Sequence, residues 1–384
     1  MTWVTAIALT TRTTLSPVPR QACAALLNKG GTGYEGPRRR PDRRGPCRRS
    51  PTSSVTCARF TMFMPLSPFK NNFKADSQAL KIDVSIENRE ACQRYAGVSL
   101  QGVTVKESPK WLQQKLKSIG LRPINNIVDI TNFILHETGQ PLHAFDADRI
   151  TGKKIIVKTL PTGTIFISLD EKERKLHEDD LMICNGLGEP MCIAGVFGGI
   201  HSGVSGATVN VFLESAWFDP GSVRKTSFRH NLRTDAATRF EKGVDIGNTV
   251  NVLKRAALMI AEITGGKISS EIRDVYPEPV DKKQVTIKYH YLKKLSGKNY
   301  HPDTVRKILE GLGFGTDRET IDELTVSVPL HKTDIGLPAD IVEEVMRIDG
   351  FDNIAIPSTI TISPSMDIAG REPVLRDRKS TRLN

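Results

Sequence analysis

Apolar positions between residues 79 and 357 recur at spacings that specify one element after another. LKIDVSIE (80–87) alternates apolar and polar residues, as a half-buried strand does, and RYAGVSLQGVTV (94–105) gives a second β-rich run. SPKWLQQKLKSIG (108–120) reads as a helix with Ser108 as N-cap, Pro109 at the first position and Gly120 as the stop. Ile127, Ile130, Thr131, Ile134 and Leu135 then mark one face of a helix, after an extended segment set by Pro123 and before Gly139 and Pro141. KKIIVKTL and TIFISLD follow as strands around a turn at Pro161 and Gly163. DLMICNGLGEPMCIAGVFGG (180–199) pairs two apolar strands across a glycine-bearing loop. TVNVFLESAWF is expected to be a strand ending at Glu214, with Asp219 and Pro220 opening a helical section. Asn248 to Thr264 is a long amphipathic helix closed by Gly265 and Gly266. Strands in the middle with helices on both sides predict an α+β domain over residues 76–276.

VYPEPVD (275–281) marks a linker, and a smaller α/β unit is expected at 281–357. There QVTIKYHYLKKL is a strand running into a helix, and HPDTVRKILEGLGF is a helix. LTVSVPL is a strand, and a last helix begins at Pro338. Patterning fades after Pro357, and 358–384 reads as a clipped tail.

Charge changes the picture at the other end. Residues 1–75 hold 13 Lys and Arg against only Glu35 and Asp42, so the whole net charge of +11 sits there. The remainder is neutral, which removes any global nucleic-acid footprint from the folded part and makes such contacts local. The segment is rich in Arg, Pro, Gly, Ser and Thr without sustained periodicity. A disordered or wrongly translated stretch is expected, in preference to a transit peptide, a secretory segment or a basic RNA-binding arm. The six cysteines (23, 47, 57, 92, 184 and 192) form no CxxC pair, and Cys184 and Cys192 fall in apolar strands as reduced core residues. No apolar run reaches the roughly 18 to 20 residues of a membrane span.

Candidate chemistry sits in four places. His143 lies between Leu142 and Phe145 in PLHAFD, either as a hydrogen-bonded core histidine or as a functional one. Glu214 follows apolar strand residues. It is either a strand-end carboxylate facing solvent or a lysine, or a buried acceptor that discriminates between ligands with and without a hydroxyl. GVFGGIHSG (195–203) and RTDAATRFEKG (233–243) accompany six Lys and Arg between Arg224 and Lys242 against Asp235 and Glu241. That segment is a solvated basic face or a phosphate-contacting patch. Asp340, Glu343 and Glu344 share a helical face, with Asp334 six residues upstream. They are either dipole-favoured first-turn acids or hard oxygen ligands suited to Mg²⁺.

RPINNIVDITNFILHETGQPLHAFDADRI, GVFGGIHSG, LESAWFDP and RTDAATRFEKGVD, in that order, closely resemble the editing domain of the bacterial phenylalanyl-tRNA synthetase β subunit. DIGLPADIVEEVMRIDGFDNI resembles the winged-helix-like domain that follows it. The likeness covers about residues 79–357. It implies a mixed-sheet tRNA-editing domain and then the winged-helix-like α/β unit, in a cytoplasmic α₂β₂ enzyme that charges the tRNA for phenylalanine. ATP would be used by the partner α subunit, and Mg²⁺ would lie near Asp334, Asp340, Glu343 and Glu344. The resemblance makes Glu214 the acceptor of the phenol of mischarged tyrosine, and His143 a group that positions the terminal ribose or the attacking water. Thr234 and Ala236 would line the pocket, with Asn126 and Gly199 as further contacts. A non-catalytic remnant binding RNA or the α subunit is the competing expectation, because the family's tRNA-binding and catalytic-like modules are missing.

Overall fold

The structure is a computed structural model that describes residues 73–355, and the expectations for residues 1–72 and 356–384 lie outside the described residues. Phe73 and Ala75 pack against a hydrophobic core, so the folded chain reaches back past the break expected at residue 75. The chain divides between Pro279 and Val280 into two units.

The first unit is a mixed α+β structure with two main sheets. One runs in the order β1 (Asp83–Ile86), β4 (Lys154–Thr159), β7 (Leu181–Cys184), β8 (Pro190–Ile193) and β9 (Phe197–Gly198), with β1 and β4 parallel and the other pairs antiparallel. The other runs β11 (Lys267–Ile268), β2 (Cys92–Gln101), β10 (Val211–Phe218) and β3 (Leu142–Asp146), all antiparallel, with β12 (Arg273–Val275) also on β2. A small hairpin joins β5 (Ile165–Ile167) to β6 (Glu173–Lys175).

Strand alternation assigns the two faces of the second sheet. Val211, Leu213, Ala96, Val98 and Leu100 pack against α1 (Lys110–Ser118), α2 (Asn126–Thr138) and α5 (Thr249–Thr264). The opposite face carries Tyr95, Phe145, Phe212, Ala216 and Phe218. These interdigitate with Ile155, Val157, Ile183 and Ile193 of the first sheet. The unit is therefore layered helix, sheet, sheet, and Glu214 belongs to the face between the sheets.

Two local expectations need correcting. β10 does not end at Glu214. It continues to Phe218, because β2 keeps pairing alongside it and because Ala216 and Phe218 bury into the inter-sheet core. Ser108 does not cap α1 either. Pro109 holds the cap position, while the Ser108 hydroxyl donates to buried Asp129 Oδ2 at 2.5 Å. That carboxylate also accepts from the Ile124 backbone N–H at 2.8 Å, and its need for donors outweighs the cap. The cap of α2 is conventional, with Asn125 Oδ1 accepting from Ile127 and Val128 N–H and Gly139 closing it at φ 79°. The helical section after Asp219 resolves into α3 (Pro220–Arg229) and α4 (Asp235–Phe240).

The second unit holds an antiparallel sheet in the order β13 (Gln284–Lys288), β15 (Glu323–Ser327) and β14 (Gly315–Glu319). Its core gathers Val285, Ile287, Leu324 and Val326 with residues of α6 (Tyr289–Ser296), α7 (Pro302–Gly311) and α8 (Pro338–Asp349). No helix among the described residues is long and apolar enough to cross a membrane. Cys92, Cys184 and Cys192 are free and buried.

Candidate functional site

Strand register brings the two principal candidates together. On β10, Glu214 is directly opposite Gly97 of β2 on one side and His143 of β3 on the other. Directly opposed residues of an antiparallel pair project to the same face, so the carboxyl and the imidazole share the inter-sheet side. Glu214 is 5% exposed, which overturns the solvent-facing, lysine-paired reading. The Tyr95 hydroxyl donates to Glu214 Oε2 at 2.9 Å. Oε1 has no hydrogen-bond partner among the described residues, and it is not one of the polar atoms completely shut off from solvent. Burial pushes the Glu214 pKa up to about 8, against the opposing pull of the Tyr95 hydrogen bond. Burial, followed by the nearby Glu214 charge, holds the Tyr95 hydroxyl protonated as a donor.

His143 stacks edge-on against Phe145, with ring centroids 4.4 Å apart. It is not a satisfied core histidine: Nε2 is buried and has no partner among the described residues. Desolvation lowers the imidazole pKa to about 4, so the ring is neutral at physiological pH. The glycine of β9 makes room for it. A Cβ on Gly198 would stand 3.0 Å from His143 Cε1 and 2.9 Å from Leu169 Cδ1. Two further buried polar atoms without a hydrogen bond, His136 Nε2 and Gln140 Oε1, precede His143 in the same stretch, and His136 Nε2 lies 3.9 Å from Asp235 Oδ2.

Thr234 ties the glycine segment to the helical section. Its hydroxyl donates to the Val196 carbonyl at 2.9 Å and accepts from Ala237 N–H at 3.1 Å as the N-cap of α4. Val196 leads directly into Phe197–Gly198, so Thr234 acts on the His143 wall through the backbone, and Ala236 follows on the first turn, half-buried. The Asn126 amide is occupied elsewhere, donating to the Thr104 carbonyl at 2.9 Å and accepting from Lys106 N–H at 3.2 Å on the helix side of the sheet. Gly199 donates its N–H to the Met191 carbonyl at 2.9 Å, within the first sheet.

The basic segment is split between structural and open cations. Arg229 pairs with buried Asp180, which also accepts from Thr226 Oγ1 at 3.0 Å and meets His230 Nε2 at 2.7 Å. Arg224, Lys225, Arg233, Arg239 and Lys242 are exposed, and Phe228, one turn past Arg224 on α3, is 78% exposed.

The acidic set in the second unit does not form a cation cage. Asp340 Oδ2 accepts from Gly336 and Leu337 N–H at 2.9 and 2.8 Å at the start of α8. Glu344 is held by Lys332 at 2.6 Å and by Arg347 at 2.7 Å, and Asp334 and Glu343 face solvent. Among the described residues no group of three or more His, Cys, Asp or Glu side chains is placed to hold a metal ion. In this structure backbone amides hold Asp340 and the cations Lys332 and Arg347 hold Glu344, so the four carboxylates do not converge on one point.

Sequence reading missed Tyr95 and Gly97. A faint signal existed, since alternation in RYAGVS puts Tyr95, Gly97 and Ser99 on one face of a strand, but it did not say which face meets Glu214.

Comparison with known proteins adds the family. Residues 91–265 match the B3/4 domain and residues 285–351 the tRNA synthetase B5 domain. A phenylalanine–tRNA ligase beta subunit from Bacteroides thetaiotaomicron is 52% identical over 296 residues, covering 77% of this chain and 36% of the relative. The beta subunit from Carboxydothermus hydrogenoformans is 43% identical over 289 residues, covering 75% of this chain and 36% of the relative. A crystal structure of an N-terminal fragment of the phenylalanyl-tRNA synthetase beta-subunit from Pyrococcus horikoshii aligns over 72% of this chain and 76% of that one. Its TM-score is 0.36 at 15% identity, too weak a likeness to bear on the fold. The chain thus spans about a third of the length of the curated relatives it matches. Residues 91–265 and 285–351 thus match the B3/4 and tRNA synthetase B5 domain families, and 77% of the chain is similar to a phenylalanine–tRNA ligase beta subunit.

Proposed function

We propose that the first unit is a post-transfer editing site that hydrolyses tyrosine wrongly attached to the tRNA for phenylalanine. The observation that carries this reading is Glu214: a buried carboxyl with one oxygen held by Tyr95 and the other open, directly opposite a histidine whose Nε2 lacks a partner. A tyrosine side chain entering there gives the open oxygen a hydroxyl to bond. Phenylalanine offers a C–H edge and leaves a polar group dry and unpaired, so the correct product is rejected from the hydrolytic pose.

The chemistry is ester hydrolysis. Water oxygen bonds to the ester carbonyl carbon, the bond from that carbon to the ribose oxygen breaks, and tyrosine and the free ribose hydroxyl leave. No side-chain nucleophile is required. His143, neutral and desolvated, is a weak base but a competent hydrogen-bonding group, and its role is to position the water or the ribose hydroxyl. Thr234 holds the backbone of residues 196–198 that shapes this wall, with Ala236 beside it. The exposed cations of α3 and α4 give local contacts to phosphates in a folded region that carries no net charge.

In the whole enzyme this chain would act as part of a beta subunit in an α₂β₂ assembly in the cytoplasm, with ATP-dependent charging carried out by the alpha subunit. The succession of β13, α6, α7, β14, β15 and α8 supports reading the second unit as winged-helix-like. No step is routed through Mg²⁺ at the acidic set.

Deacylation of tyrosyl-tRNA for phenylalanine by the full chain tests the reading. The chain should release tyrosine faster than phenylalanine, and Glu214→Ala should lower that preference by about one to two orders of magnitude, the cost of an unmade buried hydrogen bond. Absence of deacylation at high protein concentration would leave a non-catalytic scaffold instead.

A further inference from the structure

Glu214 is not alone on the inter-sheet face, and the residue that shares its carboxyl is itself a tyrosine. Tyr95 is fully buried and pairs across the strands with Ala216, so it is the diagonal neighbour of Glu214 on the same face. Directly opposite Glu214 stands Gly97, which has no side chain to intervene. The space above it is filled by the ring of Phe212, which would lie 2.1 Å from a Cβ at Gly97. The carboxyl is thus bounded along its own strand by Phe212 and Ala216 and from β2 by the Tyr95 phenol. Its one polar contact on that side is the 2.9 Å bond to Oε2.

We propose that Tyr95 is a positioning residue for specificity: by holding Oε2 it fixes the Glu214 carboxyl and presents Oε1 to the para-hydroxyl of a ligand. The pocket then reads a phenol through a Tyr95–Glu214–ligand relay. This rests on the editing reading above and deepens it. Because Tyr95 donates to Oε2, a neutral Glu214 carries its proton on Oε1 and acts as donor to the ligand. An ionised Glu214 offers Oε1 as acceptor. A hydroxyl satisfies either polarity and a phenyl edge satisfies neither, so discrimination persists through the titration of the carboxyl. The Tyr95 bond also opposes the upward pull of burial on Glu214, so removing it should move that titration to higher pH.

The test uses the full chain and two non-hydrolysable probes, 3′-tyrosylamino-3′-deoxyadenosine and its phenylalanyl counterpart, with affinities measured across pH. The unaltered chain should favour the tyrosyl probe. Tyr95→Phe keeps the ring and should reduce that preference about tenfold, the scale of one misdirected hydrogen bond. Glu214→Gln should keep most of the preference, because the Tyr95 hydroxyl takes the amide oxygen and turns the NH₂ toward the ligand.

A wild-type ratio in Tyr95→Phe would overturn the relay, as would loss of the preference in Glu214→Gln. The second variant decides the matter if the first does not fold. No preference in the unaltered chain would instead overturn the pocket reading, and the relay with it, before any substitution is made.

Discussion

At the residue scale, β10 and β3 set two buried titratable groups against each other. Glu214 titrates near 4.5 when exposed and about 8 in the fold, whereas His143 goes from 6.5 to about 4. For Glu214 the folded state holds its proton longer than the unfolded one. Its contribution is therefore fully present below pH 4.5 and is lost as pH rises toward 8. His143 has the opposite sign: its contribution is present above 6.5 and lost as pH falls through 4. Between 4.5 and 6.5 the two slopes oppose each other, and from 6.5 to 8 only the Glu214 decline remains. Glu214→Gln should abolish that decline and expose the His143 rise at lower pH, read by denaturant unfolding at each pH. A decline that persists between pH 6.5 and 8 in the variant would assign it to some other group.

At the element scale, the site depends on three neighbouring strands keeping one register. Gly97 is the pivot, since a methyl group there would meet the Phe212 ring at 2.1 Å, in a core that cannot yield without disturbing Tyr95 and Phe145. Gly97→Ala should destabilise the chain by about 1 to 3 kcal/mol, as overpacking does, and calorimetry should register it as a lower Tm. A Tm equal to that of the unaltered chain would mean that the ring relocates freely. Elements also differ in how legible they are along the chain. The helices over Asn126–Thr138 and Thr249–Thr264 announce themselves, because their apolar stripes, glycine stops and, for the first, an asparagine cap agree. LHAFD does not declare itself a strand: five residues around one histidine have no usable period, and pairing with β10 makes it one. β9 and β11 have two residues each, and no local pattern could reveal them.

For the whole molecule, the proposed tRNA contact has to be local, because residues 76–384 carry no net charge. The exposed cations Arg224, Lys225, Arg233, Arg239 and Lys242 lie on α3, on α4 and in the loops beside them, with exposed Phe228 among them. Replacing Arg224, Lys225 and Arg239 together by alanine should weaken binding of the tRNA for phenylalanine. It should also reduce the slope of log affinity against log salt by about 0.7 to 0.9 for each phosphate that is no longer neutralised. An unchanged salt slope, measured from low to physiological ionic strength, would place the RNA on another face. Arg229 is excluded from this set because buried Asp180 holds it in the fold.

The two units, most of their helices and strands, the local confinement of charge and the residues worth testing are all legible along the chain. Periodicity, caps and motif order are all properties of neighbours along the chain. How those residues are arranged together depends on the folded arrangement. Glu214 becomes a buried, half-committed carboxyl because β10 runs on past it between β2 and β3. His143 Nε2 is left without a hydrogen bond where β3 sets the ring against Gly198. The acidic residues of the second unit part company because Lys332, Arg347 and backbone amides reach two of them first. Burial and strand register are relations between distant segments, and no local spacing encodes them.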